Sequence, residues 1–200
     1  GPFQREDLNM AKHSIHPAVD DGVKQGRSGF AGATLVCKCS TDPVEVAVDN
    51  EYLFNHLCGC TKCWKPEGAM FSMLAAVPSD RVKVTRHEEK LKVVNEKAVL
   101  HRHACTGCGV HMYDTVPDPQ HVFHGFVFIH PELSRQSGYA PPTFAAFVSS
   151  VIEGGVAPSE MARVRGRLRE LGVEPYDCYS PELMDIIATH AAKAAGVLKA

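Results

Sequence analysis

Apolar and polar positions along this chain follow two different rhythms. From Gly32 to His130, short β-prone runs recur at intervals of about ten residues. They are Ala33–Cys37, Val44–Val48, Ala69–Val77, Arg81–Thr85, Leu91–Val94, Val99–Ala104, Val110–Tyr113 and Val122–Ile129. Turn signals such as Thr41-Asp42-Pro43, Pro78-Ser79-Asp80 and Pro117-Asp118-Pro119 separate them. No long helical pattern intervenes, which predicts antiparallel sheets and argues against a doubly wound parallel fold. Beyond Pro131 the period becomes helical. Phe144, Phe147, Val148, Val151 and Ile152 fall on one helical face, closed by Gly154-Gly155. Met161, Val164, Leu168 and Leu171 repeat at 3-4-3 spacing up to Gly172. Ser180-Pro181-Glu182 reads as an N-cap, a proline at the first helical position and an early carboxylate, opening a helix toward Gly196. The expected fold class is mainly β with C-terminal helices (α+β): a β core over about residues 32–130 and about three helices over 140–198.

Residues 1–9 precede the first methionine, Met10, and read as a leader left by tag cleavage. Residues 10–29 are polar and glycine-containing, expected to form a surface arm with His13 and His16 solvated. Residues 30–200 then make one domain, a size well suited to a single core. The net charge of −2 leaves no basic surplus for a polyanion. Arg163, Arg165, Arg167 and Arg169 do not change this, because a spacing of two scatters them around a helix. Nucleic acid is therefore not an expected partner. No apolar run approaches the roughly 18 residues of a membrane span, and no charged-then-apolar stretch opens the chain. Membrane insertion and secretion are not expected; a cytoplasmic protein is. A homo-oligomer is compatible with the sequence.

Eight cysteines change the picture. Seven fall in tight clusters: Cys37-Lys38-Cys39, Cys58-Gly59-Cys60-Thr61-Lys62-Cys63 and Cys105-Thr106-Gly107-Cys108-Gly109. Thiolates two or three residues apart on a turn converge on one soft cation, and zinc prefers four of them as a tetrahedron. Gly59, Gly107 and Gly109 let the backbone curl so that its N–H groups face the sulfurs. A thioredoxin-like dithiol at Cys105–Cys108 would need a strand entering a helix, whereas the local pattern is a hairpin. Disulfides within Cys-x-Cys would be strained. Seven ligands divide most naturally into four plus three. Cys37, Cys39, Cys105 and Cys108 can close a saturated, structural site that clamps distant parts of the sheet. Cys58, Cys60 and Cys63 can hold a second ion with a coordination position left open, the arrangement of catalytic zinc. A swapped pairing of the clusters stays open at this point. Cys178 stands alone and reads as a small core filler or a bystander.

These motifs resemble those of the glutathione-dependent formaldehyde-activating enzymes and their centromere-protein-V relatives. The segment Cys58 to Ala69, including Cys63-Trp64-Lys65-Pro66, and the segment Arg102 to Tyr113 look like the two signature stretches of the enzyme branch. Phe144–Glu153 and Arg167–His190 also resemble that branch. The resemblance implies a zinc-stapled antiparallel β-tent fold with two zinc ions per chain. It assigns Cys37, Cys39, Cys105 and Cys108 to the structural ion and Cys58, Cys60 and Cys63 to the catalytic one. The implied activity is that of a carbon–sulfur lyase, S-(hydroxymethyl)glutathione synthase, which condenses formaldehyde with glutathione. Its product is the substrate of a glutathione-dependent formaldehyde dehydrogenase, so the implied role is formaldehyde detoxification. A free thiol titrates near pKa ~8.5, and coordination to zinc strips its proton. The alkoxide formed by attack on formaldehyde needs an acid, for which His103, His111 and Tyr113 are candidates by proximity in sequence. Lys62, Lys65 and Arg102 adjoin ligand cysteines and are candidate anchors for the two carboxylates of glutathione, and Trp64 is a candidate pocket wall. Because a thiol and formaldehyde combine unaided in water, a carrier that binds glutathione or its adduct without catalysis is the alternative. A zinc-stapled interaction module is disfavoured by charge.

Overall fold

A computed structural model describes residues 14–199. The leader at 1–9 and the start of the arm, His13 included, lie outside the described residues. The strands are β1 (Ala33–Val36), β2 (Glu45–Val48), β3 (Leu53–Cys58), β4 (Ser72–Pro78), β5 (Val82–Arg86) and β6 (Leu91–Val93). They continue with β7 (His101–Cys105), β8 (His111–Thr115), β9 (Phe126–Ile129), β10 (Phe144–Ala146) and β11 (Glu174–Pro175). Two α-helices follow, α1 (Met161–Glu170) and α2 (Pro181–Ala194). One sheet has the order β1-β2-β5; the other runs β11-β10-β3-β4-β9-β8-β7-β6. The fold is thus mainly β with a C-terminal helical region, as the two rhythms predict.

Alternation along β4 joins the layers. Ala75 and Val77 enter a core with Leu35, Val46 and Met112 that lies between the sheets. Met73 enters a second core with Phe71, Val164 and Leu168 of α1. Leu74 and Ala76 face a cavity. Nearly every side chain of β4 is buried, so it is the spine of the molecule.

Three expectations are corrected. The apolar run from Phe144 to Ile152 is not an α-helix. Phe144–Ala146 is a strand, Phe147 turns into the left-handed region at φ 51°, and Val148–Ile152 forms a 3-10 helix. The free edge of β3 explains this: Ala145 and Ala146 pair parallel with Leu57 and Cys58, and β11 adds on the other side. Sheet pairing outweighs a periodicity that is equally good for a helix. Those two contacts also make the large sheet mixed; its remaining pairs are antiparallel. Second, Leu53–Cys58 is a strand that its Asn55 and His56 conceal. Both are buried, Asn55 Nδ2 donating to the Ala140 carbonyl at 2.8 Å. Third, the arm is no loose surface segment. Ile15 and Val19 enter the second core, and His16 is fully buried, its Nε2 bonded to the Glu132 carboxylate. The Asp20 carboxylate accepts from the Ile15 and His16 N–H groups at 3.0 and 3.2 Å, folding the arm onto itself.

The later helices follow their signals. Met161, Val164 and Leu168 are the buried side of α1. Its arginines Arg163, Arg165, Arg167 and Arg169 each meet a carboxylate, of Glu160, Asp177, Glu170 and Glu174 respectively. Ser180 caps α2 by accepting from Leu183 N–H, with Pro181 first in the helix. Among the described residues, no helix is long and apolar enough to cross a membrane.

Candidate metal centre and substrate cavity

Two hairpins from different sheets bring the first cysteine group together. Cys37 follows β1, Cys39 lies in the β1–β2 turn, Cys105 ends β7, and Cys108 lies in the β7–β8 turn. Their four sulfurs all lie within 4.8 Å of one another. The Cys39 and Cys105 sulfurs are 3.7 Å apart. A tetrahedron with metal–sulfur bonds of about 2.3 Å has edges of about 3.8 Å, so this donor set fits a zinc-sized ion. Of the pairings that the sequence leaves open, the structure brings together Cys37, Cys39, Cys105 and Cys108.

Backbone N–H groups prepare the site. Val44 N–H points to the Cys37 sulfur at 3.2 Å. Burial pushes the Cys37 thiol up to about 12. Burial also acts on Cys105, but the Cys108 and Gly107 N–H groups and the Cys39 thiol hold it at about 7. Gly107 has a steric reason: a Cβ there would lie 2.8 Å from the Cys39 sulfur. Without a cation only some of these four thiols can ionise, because thiolates this close repel one another.

The second group is local. Cys58 ends β3, and Cys60 and Cys63 lie in the loop beyond it. All three border one cavity of about 460 Å³. The Cys58 and Cys63 sulfurs are 3.9 Å apart, close to a tetrahedral edge, but among the described residues the three sulfurs do not all gather within 4.8 Å as the first four do. Hydrogen bonds from Cys58 and Cys63, with help from the Lys62 N–H and the Arg102 charge, hold Cys60 far below the ordinary thiol range. Cys58 is driven well above that range by the hydrogen bonds it shares with Cys60 and Cys63 and by burial. One thiolate is thus supported by its neighbours. Gly59 is fixed by the chain above it: a Cβ would lie 2.3 Å from the Phe147 carbonyl oxygen, and its N–H donates to Ala146 at 2.9 Å.

Of the basic residues flagged by sequence, Arg102 borders the cavity. Lys62 is exposed, and the Lys65 ammonium donates to the Cys60 carbonyl at 2.6 Å, bracing the cysteine loop. Trp64 packs edge-on to His130 with ring centres 5.4 Å apart and lies against the inter-sheet core. His103, His111 and Tyr113 do not border the cavity: His103 stacks on Tyr113 at 4.3 Å and bonds the Thr115 hydroxyl. Cys178 is exposed, so it is not a core filler.

Sequence reasoning missed His56. Two residues before Cys58, it shares that cysteine's face of β3 and borders the same cavity. Its Nδ1 lies 2.7 Å from the Phe54 carbonyl oxygen and donates to it, so Nε2 is left as an acceptor. Burial pulls its pKa down to about 4, keeping the ring neutral. Period-two alternation back from Cys58 was the available signal. The rest of the wall is mostly aromatic and aliphatic. Tyr179 lies within the electrostatic reach of the three cysteines, and burial followed by their charge pushes its hydroxyl up to about 12.

A crystal structure of a Rhodobacter sphaeroides protein is similar to this chain at 18% identity and a TM-score of 0.41, covering 71% of this chain and 97% of that one. The family model described as glutathione-dependent formaldehyde-activating enzyme matches residues 33–150. That stretch is more than half of the chain and carries all seven clustered cysteines, the two hairpins and Arg102. This chain belongs to the glutathione-dependent formaldehyde-activating enzyme family.

Proposed function

We propose that this protein condenses formaldehyde with glutathione to S-(hydroxymethyl)glutathione, with one zinc ion held by Cys58, Cys60 and Cys63 and another by Cys37, Cys39, Cys105 and Cys108. The observation that carries the reading is a three-cysteine loop opening on a cavity beside a guanidinium, in a chain of this family. Zinc, when bound by the three cysteines, supplies the charge that keeps a glutathione thiol deprotonated at neutral pH. The chain's own residues do the remaining work. Arg102 faces the developing charge on the carbonyl oxygen as the carbon–sulfur bond forms. His56 Nε2 is an acceptor through which the thiol proton passes to that oxygen, giving the neutral hydroxymethyl product. Arg102 and Lys62 are the cations for the carboxylates of glutathione, and Lys65 shapes the loop. The four-cysteine ion is structural, since its ligands staple the two sheets. In this reading the protein is a cytoplasmic carbon–sulfur lyase whose product feeds a glutathione-dependent formaldehyde dehydrogenase.

The test compares adduct formation with and without protein, at protein concentrations well below those of glutathione and formaldehyde. Multiple turnovers per chain support catalysis. An effect that stops at one adduct per chain makes the protein a carrier instead.

A further inference from the structure

The cavity of about 460 Å³ has to admit glutathione as well as an aldehyde, and glutathione and formaldehyde are both polar. Its lining is of the wrong kind for two polar molecules alone. Phe147, Tyr179, Phe123 and Phe128 form a continuous edge-to-face series, with ring centres 5.2, 6.2 and 5.5 Å apart in turn. Opposite stand Val99 and Leu100 from the β6–β7 connection, and α2 lays Leu183, Ile186 and Ile187 over the space from one helical face. Several of these side chains are not covered by protein: Phe54 is 39%, Val99 63% and Ile186 41% exposed. Apolar surface left open around a chamber is covered by a ligand with apolar surface of its own.

Two further observations tie that chamber to the reacting end. Arg102 borders the chamber beside the three cysteines, so its guanidinium is the cation that a ligand oxygen meets there. Phe54 and Phe147, both in the lining, hold φ near +50°, a left-handed conformation that a bulky residue adopts at a cost of about 1–2 kcal/mol. Strain of this kind at two wall positions is characteristic of a binding site, since a purely structural turn would carry glycine there.

We infer that the carbonyl partner is an aldehyde bearing an apolar, preferably aromatic, substituent, which lies along the Phe123–Phe128 wall while its carbonyl oxygen meets the Arg102 guanidinium. This rests on the thiol–aldehyde condensation proposed above and changes its preferred electrophile. The step is balanced without an oxidant or reductant. The glutathione sulfur bonds to the carbonyl carbon, the carbonyl π pair moves onto oxygen, and the proton leaving sulfur ends on that oxygen as a hemithioacetal hydroxyl.

The experiment measures, for phenylacetaldehyde, glyceraldehyde and formaldehyde, the acceleration of hemithioacetal formation with glutathione over the uncatalysed rate. A parallel arm follows binding of the unreactive 2-phenylethanol by ligand-observed NMR. Burying a phenyl group predicts that phenylacetaldehyde is accelerated about 10- to 100-fold more than formaldehyde or glyceraldehyde, and that 2-phenylethanol binds. The exposed positions Val99 and Ile186 tolerate charge without loss of fold, so Val99→Asp and Ile186→Glu should each cut the phenylacetaldehyde-to-formaldehyde ratio several-fold. Formaldehyde accelerated as much as phenylacetaldehyde, or a ratio unmoved in both variants, overturns the inference and leaves the condensation intact. No acceleration with any aldehyde overturns the condensation itself, and with it the substrate assignment, whether or not 2-phenylethanol binds.

Discussion

The two cysteine groups use one residue type in opposite settings. The four-cysteine group takes its ligands from two hairpins, 66 residues apart at the Cys39–Cys105 contact, and holds one sheet to the other. The three-cysteine group comes from the end of one strand and the loop beyond it, and opens on an apolar cavity. Closing a long loop with a metal constrains the unfolded chain strongly; closing a six-residue loop constrains it little. In the proposed function the same chemistry therefore serves the fold in one place and is free to serve a ligand in the other.

The largest effect should come from breaking the first group. Loss of one thiolate by Cys37→Ala or Cys105→Ala forfeits much of a binding free energy of about 10–16 kcal/mol that is coupled to folding in small zinc sites. Both variants should be insoluble or should lose their cooperative thermal transition. A Cys105→Ala protein with an unchanged melting temperature would erase the contrast between the two groups.

Next in size is the reciprocal substitution. Cys58→Ala, Cys60→Ala or Cys63→Ser should fold, with urea midpoints close to the parent's, because only the short loop loses its staple. Their acceleration of adduct formation should fall by at least about 10- to 100-fold, the loss typical of removing a residue that merely supports a metal ligand. Metal content should show the same order: a chelator should remove one zinc per chain quickly and the second only with unfolding. Simultaneous loss of both ions would show that the sites are not independent.

Much of this contrast was legible in the cysteine spacing, because ligands two or three residues apart encode a turn, and a turn is local. The four-cysteine group was legible only as clusters, because the gathering of Cys37, Cys39, Cys105 and Cys108 depends on sheet pairing. The β core was read well wherever β-branched residues alternate with turn signals. Reading failed where tertiary contacts overrule local pattern. Phe144–Ala146 has a helical period but completes the edge of β3. His16 looks solvent-loving but is buried against Glu132, 116 residues away. The cavity was the least legible feature, since Phe54, Phe123, Phe147 and Tyr179 are scattered along the chain and carry no spacing rule.

A smaller effect is expected at the two signature glycines, and it separates the sites by mechanism. In Gly59→Ala the new methyl meets the Phe147 carbonyl oxygen at 2.3 Å, backbone against backbone, so β10 must shift. Overpacking of this kind costs about 1–3 kcal/mol in urea unfolding. In Gly107→Ala the neighbour is the Cys39 sulfur at 2.8 Å, and a metal ligand must move instead. The first variant should lower stability with or without added chelator. The second should also make the four-cysteine zinc easier for a chelator to strip, unfolding the chain sooner than the parent, and equal chelator sensitivity of the two would contradict the close contacts described here.

The smallest effect tests whether Arg102 is free to face a ligand. Asp114 sits directly across from it on β8, is 1% exposed, and has an Oδ1 without a partner among the described residues. Burial pushes this carboxyl up to about 6, against the opposing influence of the His130 and Arg102 charges. Its ordinary value is 3.8, so between 3.8 and about 6 the native state holds a proton that the unfolded chain has released. Native stability from this group therefore falls as pH rises through that window and is level above it. Asp114→Asn does not titrate, while the zinc ligands titrate alike in both proteins and cancel in the comparison. The stability of the parent minus that of Asp114→Asn, measured by urea unfolding, should drop by about 1 kcal/mol from pH 5 to pH 7. A difference that stays level from pH 5 to pH 7 would mean that Asp114 is ionised against Arg102. The guanidinium would then be neutralised within the sheet, and the three-cysteine site would lose the cation that distinguishes it from the four-cysteine staple.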